Sequence, residues 1–190
     1  MSAWKRGAPL QNQNWLFAYG SLMWDPGFAP PERVVGTLWG WHRSFCLRSI
    51  QYRGTEHQPG LVLGLDAAEG AVCRGVALRV DDHHWPDVIA AVRARELTTE
   101  AYREARLPVD LSDGRRVEAI TYVMIREHAH YAGGLCAQEQ ARIIAQAAGW
   151  RGPNRDYLFN TASHLAELGL PDPEMDALSD EVRKLCGQPS

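Results

Sequence analysis

Between Trp15 and Ile125 the sequence is cut into short apolar runs by Gly, Pro and Asp-Gly punctuation, and this pattern commits most of the first two thirds to strands. Trp15 to Tyr19 is an aromatic, apolar run that stops at Gly20-Ser21. Val34 to Trp39, Phe45 to Ile50 and Leu61 to Leu65 are further strand candidates, with Asp25-Pro26-Gly27, Pro30-Pro31 and Pro59-Gly60 breaking the chain between runs. From Val72 to Val80 the residues alternate. Val72, Arg74, Val76, Leu78 and Val80 share one face, and Cys73, Gly75, Ala77 and Arg79 share the other. Leu107 to Leu111 and Val117 to Ile125 flank Ser112-Asp113-Gly114, whose Asp-Gly pair accepts the positive φ angles of a tight hairpin.

Helical periodicity enters once inside this region and then takes over. A helix is predicted from about Trp85 to Leu97, with Pro86 in its first turn. A second runs from about Ala137 to Ala148 and stops at Gly149. A third follows Asn154, read as its N-cap, and runs through Leu158 and Leu165 to Gly169. A fourth starts at Asp172-Pro173 and carries Leu178, Val182 and Leu185 at helical spacing. Strands first and helices last argue α+β, with a largely antiparallel sheet. At 190 residues the chain fits one domain, placed at 15–186, behind a polar, aperiodic lead at 1–14 that reads as disordered.

Composition removes several classes of function. A net charge of −3 supplies no basic field for a nucleic-acid backbone and no cationic patch for anionic lipid. The N-terminus lacks the apolar core of a signal peptide, and no stretch approaches a membrane span, so a cytoplasmic location is expected. Cys46, Cys73, Cys136 and Cys186 are widely spaced, without the paired ligands of a zinc site. The first two fall in strand-like runs and read as buried free thiols. His83 and His84 are adjacent and point apart in regular structure, and no His-Glu motif of a metalloenzyme is present. No Cys- or His-based metal site is therefore expected. Seven tryptophans without basic patches read as core and pocket walls.

Two features point towards chemistry. On the first helix, Trp85, Val88, Ile89 and Val92 form an apolar stripe, and Glu96, four residues past Val92, continues it. A carboxylate on such a face must be paired, neutral or functional. Desolvation raises its pKa, which suits a group that both takes and gives a proton. Taken alone, an ion-paired glutamate at a fraying helix end beside Arg93 and Arg95 is the stronger reading. The second feature is Tyr19-Gly20-Ser21-Leu22-Met23-Trp24, where a glycine at a strand end lets backbone N–H groups approach an anion. Its plain alternative is an ordinary turn. It matches neither a nucleophile elbow nor a phosphate-binding loop, and Ser21 has no assignable His and Asp.

Taken together, Tyr19-Gly20-Ser21-Leu22-Met23-Trp24 and Arg95-Glu96 resemble the ChaC family of γ-glutamylcyclotransferases. Arg43-Ser44-Phe45, Pro59-Gly60-Leu61-Val62-Leu63, Cys73-Arg74-Gly75-Val76-Ala77 and Asn154-x-x-Tyr157-Leu158 fit the same family in the same order, so the resemblance spans about Trp15 to Leu185. It implies a mixed α/β domain around a small, barrel-like antiparallel sheet, with no metal or cofactor. It implies Glu96 as general acid/base, and Phe17, Ala18, Tyr19, Gly20, Ser21 and Leu22 as the strand end and loop holding a γ-glutamyl group, largely through backbone. Tyr102 and Tyr157 match aromatic positions around the pocket, and Arg43 is a candidate for the far end of the substrate. At Arg43-Ser44-Phe45-Cys46 many relatives carry a second arginine and an aromatic, and this chain does not.

The implied partner is a small molecule, glutathione or another γ-glutamyl compound, cyclised to 5-oxoproline. Two alternatives stand beside it: cyclisation of other γ-glutamyl amines, and a non-catalytic ligand-binding regulator related to cation transport. A proton-shuttling Glu96 favours the enzyme. Oligomeric state is open.

Overall fold

The computed structural model describes residues 11–187, with side chains from Asn14 onward. Five strands close into a mixed barrel in the order β1-β3-β2-β4-β5, accompanied by four helices. They are β1 (Gln11–Ala18), β2 (Glu32–Ser49), β3 (Gly60–Arg79), β4 (Tyr102–Leu111) and β5 (Arg116–Met124). The α+β expectation holds. The sheet is not wholly antiparallel, however: β1 runs antiparallel to β3 but parallel to β5. A parallel neighbour needs a long connection rather than a turn, so a reading built on hairpins does not find it.

Two other differences share a cause. The run pairs at 34–39 with 45–50, and at 61–65 with 72–80, are each one long strand, β2 and β3. Gly40 (φ +80°) and Gly70 (φ +77°) sit inside these strands in the left-handed region, with open space where a Cβ would stand. Such a residue interrupts side-chain alternation without ending the ladder, so the sequence reads as two strands. At the N-terminus β1 begins at Gln11, inside the stretch expected to be a disordered lead at 1–14, and residues 1–10 lie outside the described ones. The Asp-Gly hairpin between β4 and β5 is present, with Gly114 at φ +91°.

The chain, expected as a single domain, divides into two compact units, residues up to His42 with Ala67–Val123, and Arg43–Asp66 with the residues from Met124 on. In the first unit, α1 (Trp85–Glu96) buries Ile89 and Val92, as its stripe predicts. Phe17 is almost fully buried, and its ring lies close to Gly36 and Gly75. A Cβ on Gly75 would stand 2.3 Å from the Ala18 carbonyl oxygen, so the glycine in β3 is what lets β1 lie against it.

In the second unit, α2 (Ala137–Gln146), α3 (Asn154–Glu167) and α4 (Pro173–Leu185) pack on one another. A two-residue pair, β6 (Ala148–Gly149) and β7 (Gly152–Pro153), joins α2 to α3. α4 starts at Asp172-Pro173 as expected, and Asp172 caps it, accepting from the Met175 N–H at 3.2 Å. Asn154 does not cap α3. Pro153 occupies that position, and the Asn154 side chain is fully buried across β3, accepting from the Leu61 N–H at 2.6 Å and donating to the Leu61 carbonyl at 2.7 Å. Cys46 and Cys73 are buried free thiols, and burial pushes the Cys46 pKa up to about 11.

Candidate active site

β1 ends where the barrel holds it on both sides. Ala18 pairs with Val76 of β3, and Leu16 pairs with Ile120 of β5. Thr121 of β5 donates its hydroxyl to the Phe17 carbonyl at 3.0 Å, and Tyr19 donates its hydroxyl to the Tyr122 carbonyl at 2.9 Å. The chain then enters a 3₁₀ turn at Ser21–Met23. The first backbone donor used within that turn is Met23, bonded to the Gly20 carbonyl at 2.8 Å, so the Ser21 and Leu22 N–H groups are not spent inside it. Gly20 sits at φ −134°, so its place in the motif does not come from a left-handed backbone. Phe17, Ala18, Tyr19 and Leu22 are buried as whole residues, and Phe17 and Ala18 are engaged by the neighbouring strands.

Glu96 is the last residue of α1. Its side chain is 19% exposed, and burial pushes its pKa above the ordinary carboxylate value while the neighbouring Arg95 charge pulls the other way. This is the environment the apolar stripe foretold. Arg95 connects it to the turn. Its guanidinium donates to the Ser21 hydroxyl at 2.7 Å and to the Asp25 carbonyl at 2.7 Å, while its Nε lies 3.4 Å from Glu96 Oε1. The two motifs that stand seventy residues apart in sequence are thus joined by one side chain.

Tyr122 is the residue that sequence reasoning missed. It is buried on β5, and its hydroxyl reaches Glu104 of β4 at 3.4 Å. Burial and the nearby charges of Glu104 and Glu96 drive its pKa far up, so it stays a neutral donor. Glu104 is held by Arg93 through two bonds of 2.7 Å, which keeps its carboxylate below the usual range. Only alternation along β5 could have flagged Tyr122, and there it reads as core. Tyr102 opens β4 half-buried in this same unit.

Tyr157 and Arg43 belong to the second unit. Tyr157 meets the Phe45 ring edge-on at 5.8 Å and carries the Arg53 guanidinium over its face at 5.3 Å. Arg43 is buried, and its Nε and Nη2 both bond Asp172 Oδ2, at 3.1 and 2.9 Å. It therefore anchors the start of α4.

Among the described residues one group offers metal ligands, Asp81, His83 and His84, just ahead of α1. The two imidazoles lie 3.9 Å apart rather than pointing away from each other, because this stretch is a turn and not a regular element. Both are exposed, and the helix N-terminus beside them disfavours a cation. A surface cleft of about 280 Å³ lies between Pro26–Phe28 and the Val88–Ala91 side of α1, and Glu96 does not line it.

The sequence model of the ChaC-like protein family matches residues 14–185. The chain is 40% identical over 180 residues to the glutathione-specific γ-glutamylcyclotransferase of Escherichia coli K12, covering 95% of this chain and 77% of that one. It is 32% identical over 180 residues to γ-glutamylcyclotransferase 2-3 of Arabidopsis thaliana, covering 92% and 90% of the two. The crystal structure of a γ-glutamyl cyclotransferase specific to glutathione from yeast superposes with a TM-score of 0.81 over 90% of this chain and 96% of that one, at 22% identity, which shows a shared fold. The matched span runs from within β1 to the end of α4, and the chain belongs to the ChaC-like protein family.

Proposed function

We propose that this chain is a glutathione-specific γ-glutamylcyclotransferase that releases 5-oxoproline and cysteinylglycine, with Glu96 as general acid/base. The observation that carries the reading is a largely buried carboxylate, its pKa raised by that burial, tied through Arg95 to a strand-end turn whose own bonds do not use the Ser21 and Leu22 N–H groups. Relatives named for this activity support the substrate.

The reaction fits that arrangement. The substrate's α-amine attacks its own γ-carbonyl carbon, closing a five-membered lactam, and the γ-amide C–N bond breaks. Glu96, ionised, takes a proton from the attacking nitrogen and delivers one to the departing nitrogen, so the carboxylate ends as it began and no water is consumed. Both reacting groups are in one molecule, and holding them in the cyclising geometry supplies an effective molarity worth several kcal/mol, about 7 or more in favourable cases. The unspent N–H groups of Ser21 and Leu22 are assigned to negative charge, either the α-carboxylate or the developing oxyanion. Tyr122 stays neutral, with its hydroxyl proton donated to Glu104, and adds no charge near Glu96. Tyr102 is assigned to the γ-glutamyl group. Tyr157 and Arg43 are candidates for the remainder of glutathione, and the bonds of Arg43 to Asp172 weigh against a free role for that guanidinium. The test is whether purified protein forms 5-oxoproline from glutathione, and whether Glu96→Gln abolishes it.

A further inference from the structure

We propose that Arg95 is a positioning residue for this reaction: one guanidinium fixes the Ser21 turn against α1 and sets the charge that Glu96 faces. The inference rests on the functional reading above.

Residues i and i+1 of a helix do not normally face each other, because their side chains leave the axis about 100° apart. Arg95 overcomes this by curling. Its Nη2 and Nη1 reach forward to Ser21 Oγ and the Asp25 carbonyl, both at 2.7 Å, which leaves Nε 3.4 Å from Glu96 Oε1. Its Nη1 also lies 3.9 Å from the Asp25 carboxylate. The side chain is exposed, yet its guanidinium is engaged: two nitrogens donate hydrogen bonds and the third lies at ion-pair distance from Glu96. A lysine would keep the charge but could not hold the Ser21 hydroxyl and the Asp25 carbonyl from one rigid fork.

The charge has a definite set of neighbours. On α1 itself Glu96 faces Arg95. On β5 Tyr122 lies within range of the Glu96 charge, and its hydroxyl donates to Glu104 of β4, which Arg93 holds. From the turn, Asp25 faces Arg95 and offsets part of its field. Burial favours the neutral acid, and Arg95 is the cation that opposes it. Removing the cation must therefore raise the Glu96 pKa further and move the acid limb of kcat/KM to higher pH.

The two roles separate by substitution. Ser21→Ala breaks the tether and leaves the charge. Arg95→Lys keeps the charge and loses the fork. Arg95→Met loses both. In the substrate-free protein, Glu96 titration is followed by NMR of its side-chain carboxyl, assigned by its disappearance in Glu96→Gln. Arg95→Met is expected to raise this pKa by about one unit, with Ser21→Ala and Arg95→Lys close to wild type. With glutathione, all three are expected to raise KM, and only Arg95→Met to shift the acid limb. An unchanged Glu96 titration in Arg95→Met, or a shift that Arg95→Lys fails to restore, overturns the electrostatic role. Wild-type KM in both Ser21→Ala and Arg95→Lys overturns the tether. Lack of turnover in the wild type would remove the functional reading, while the titration arm still decides whether Arg95 controls Glu96.

Discussion

Replacing Asn154 distinguishes a helix cap from a buried clamp by magnitude and by sign. As an N-cap, Asn154 would lose about 1 kcal/mol on change to Ala and almost nothing on change to Asp, which caps equally well. In the structure Asn154 is fully buried and satisfies both the N–H and the carbonyl of Leu61, itself fully buried. A Cβ on Gly60 would stand 2.2 Å from the Arg53 carbonyl oxygen and 2.7 Å from Asn154 Oδ1, which accounts for the glycine in Pro59-Gly60-Leu61. Asn154→Ala orphans two backbone groups at about 1–3 kcal/mol each, a loss of about 2–6 kcal/mol in all. That is a large share of the roughly 5–15 kcal/mol typical of a domain. Asn154→Asp keeps an acceptor for the Leu61 N–H but faces the Leu61 carbonyl with a second oxygen and a buried charge, so it should cost at least as much at neutral pH. Urea unfolding of the three proteins measures this, with Tm falling by roughly 2–4 °C per kcal/mol for a chain of this size. An Asp variant within about 0.5 kcal/mol of wild type, or an Ala variant losing less than about 1, would refute the clamp.

Ionising Glu96 opposes folding, because burial raises its pKa above the unfolded value. Its contribution to stability is therefore full below the ordinary carboxylate pKa and is lost as pH rises through the folded one. Glu96→Gln should be at least as stable as wild type at pH 7 and gain nothing at pH 4, which thermal melts at the two pH values would show. Dialysis against a strong chelator should leave turnover unchanged, since the proposed steps use no metal and the Asp81-His83-His84 group lies at the opposite end of α1, about 18 Å of helix from Glu96. Activity that vanishes and returns with zinc or manganese would contradict this.

The parts of the fold that follow from local pattern were legible. The stripe of α1, the Asp-Gly hairpin and the start of α4 at Asp172-Pro173 each follow from neighbouring residues alone. What was not legible depends on residues far apart in the chain. The parallel β1–β5 pair is one case, and Asn154, engaged by a strand some ninety positions earlier, is another. Gly40 and Gly70 mislead because a bend within a strand and a break between strands look alike in one dimension. At the site, Glu96 stood out because a carboxylate extended an apolar stripe. Tyr122 did not, because a tyrosine in a buried strand carries no such contradiction. Arg95 was visible only as a plausible partner for Glu96, while its bonds to Ser21 and Asp25 required the turn to be folded.

The central claim is cyclisation through Glu96, and a product balance tests it most directly. Purified protein is incubated with glutathione, and 5-oxoproline, cysteinylglycine and free glutamate are quantified over time for wild type and for Glu96→Gln. The account predicts equal amounts of 5-oxoproline and cysteinylglycine from the wild type and no glutamate, because the attacking group is the substrate's own amine. It predicts a loss of about 10²–10⁴-fold in the folded Gln variant, the usual worth of a general acid/base. Glutamate as the product, or a folded Glu96→Gln protein turning over at the wild-type rate, would contradict it.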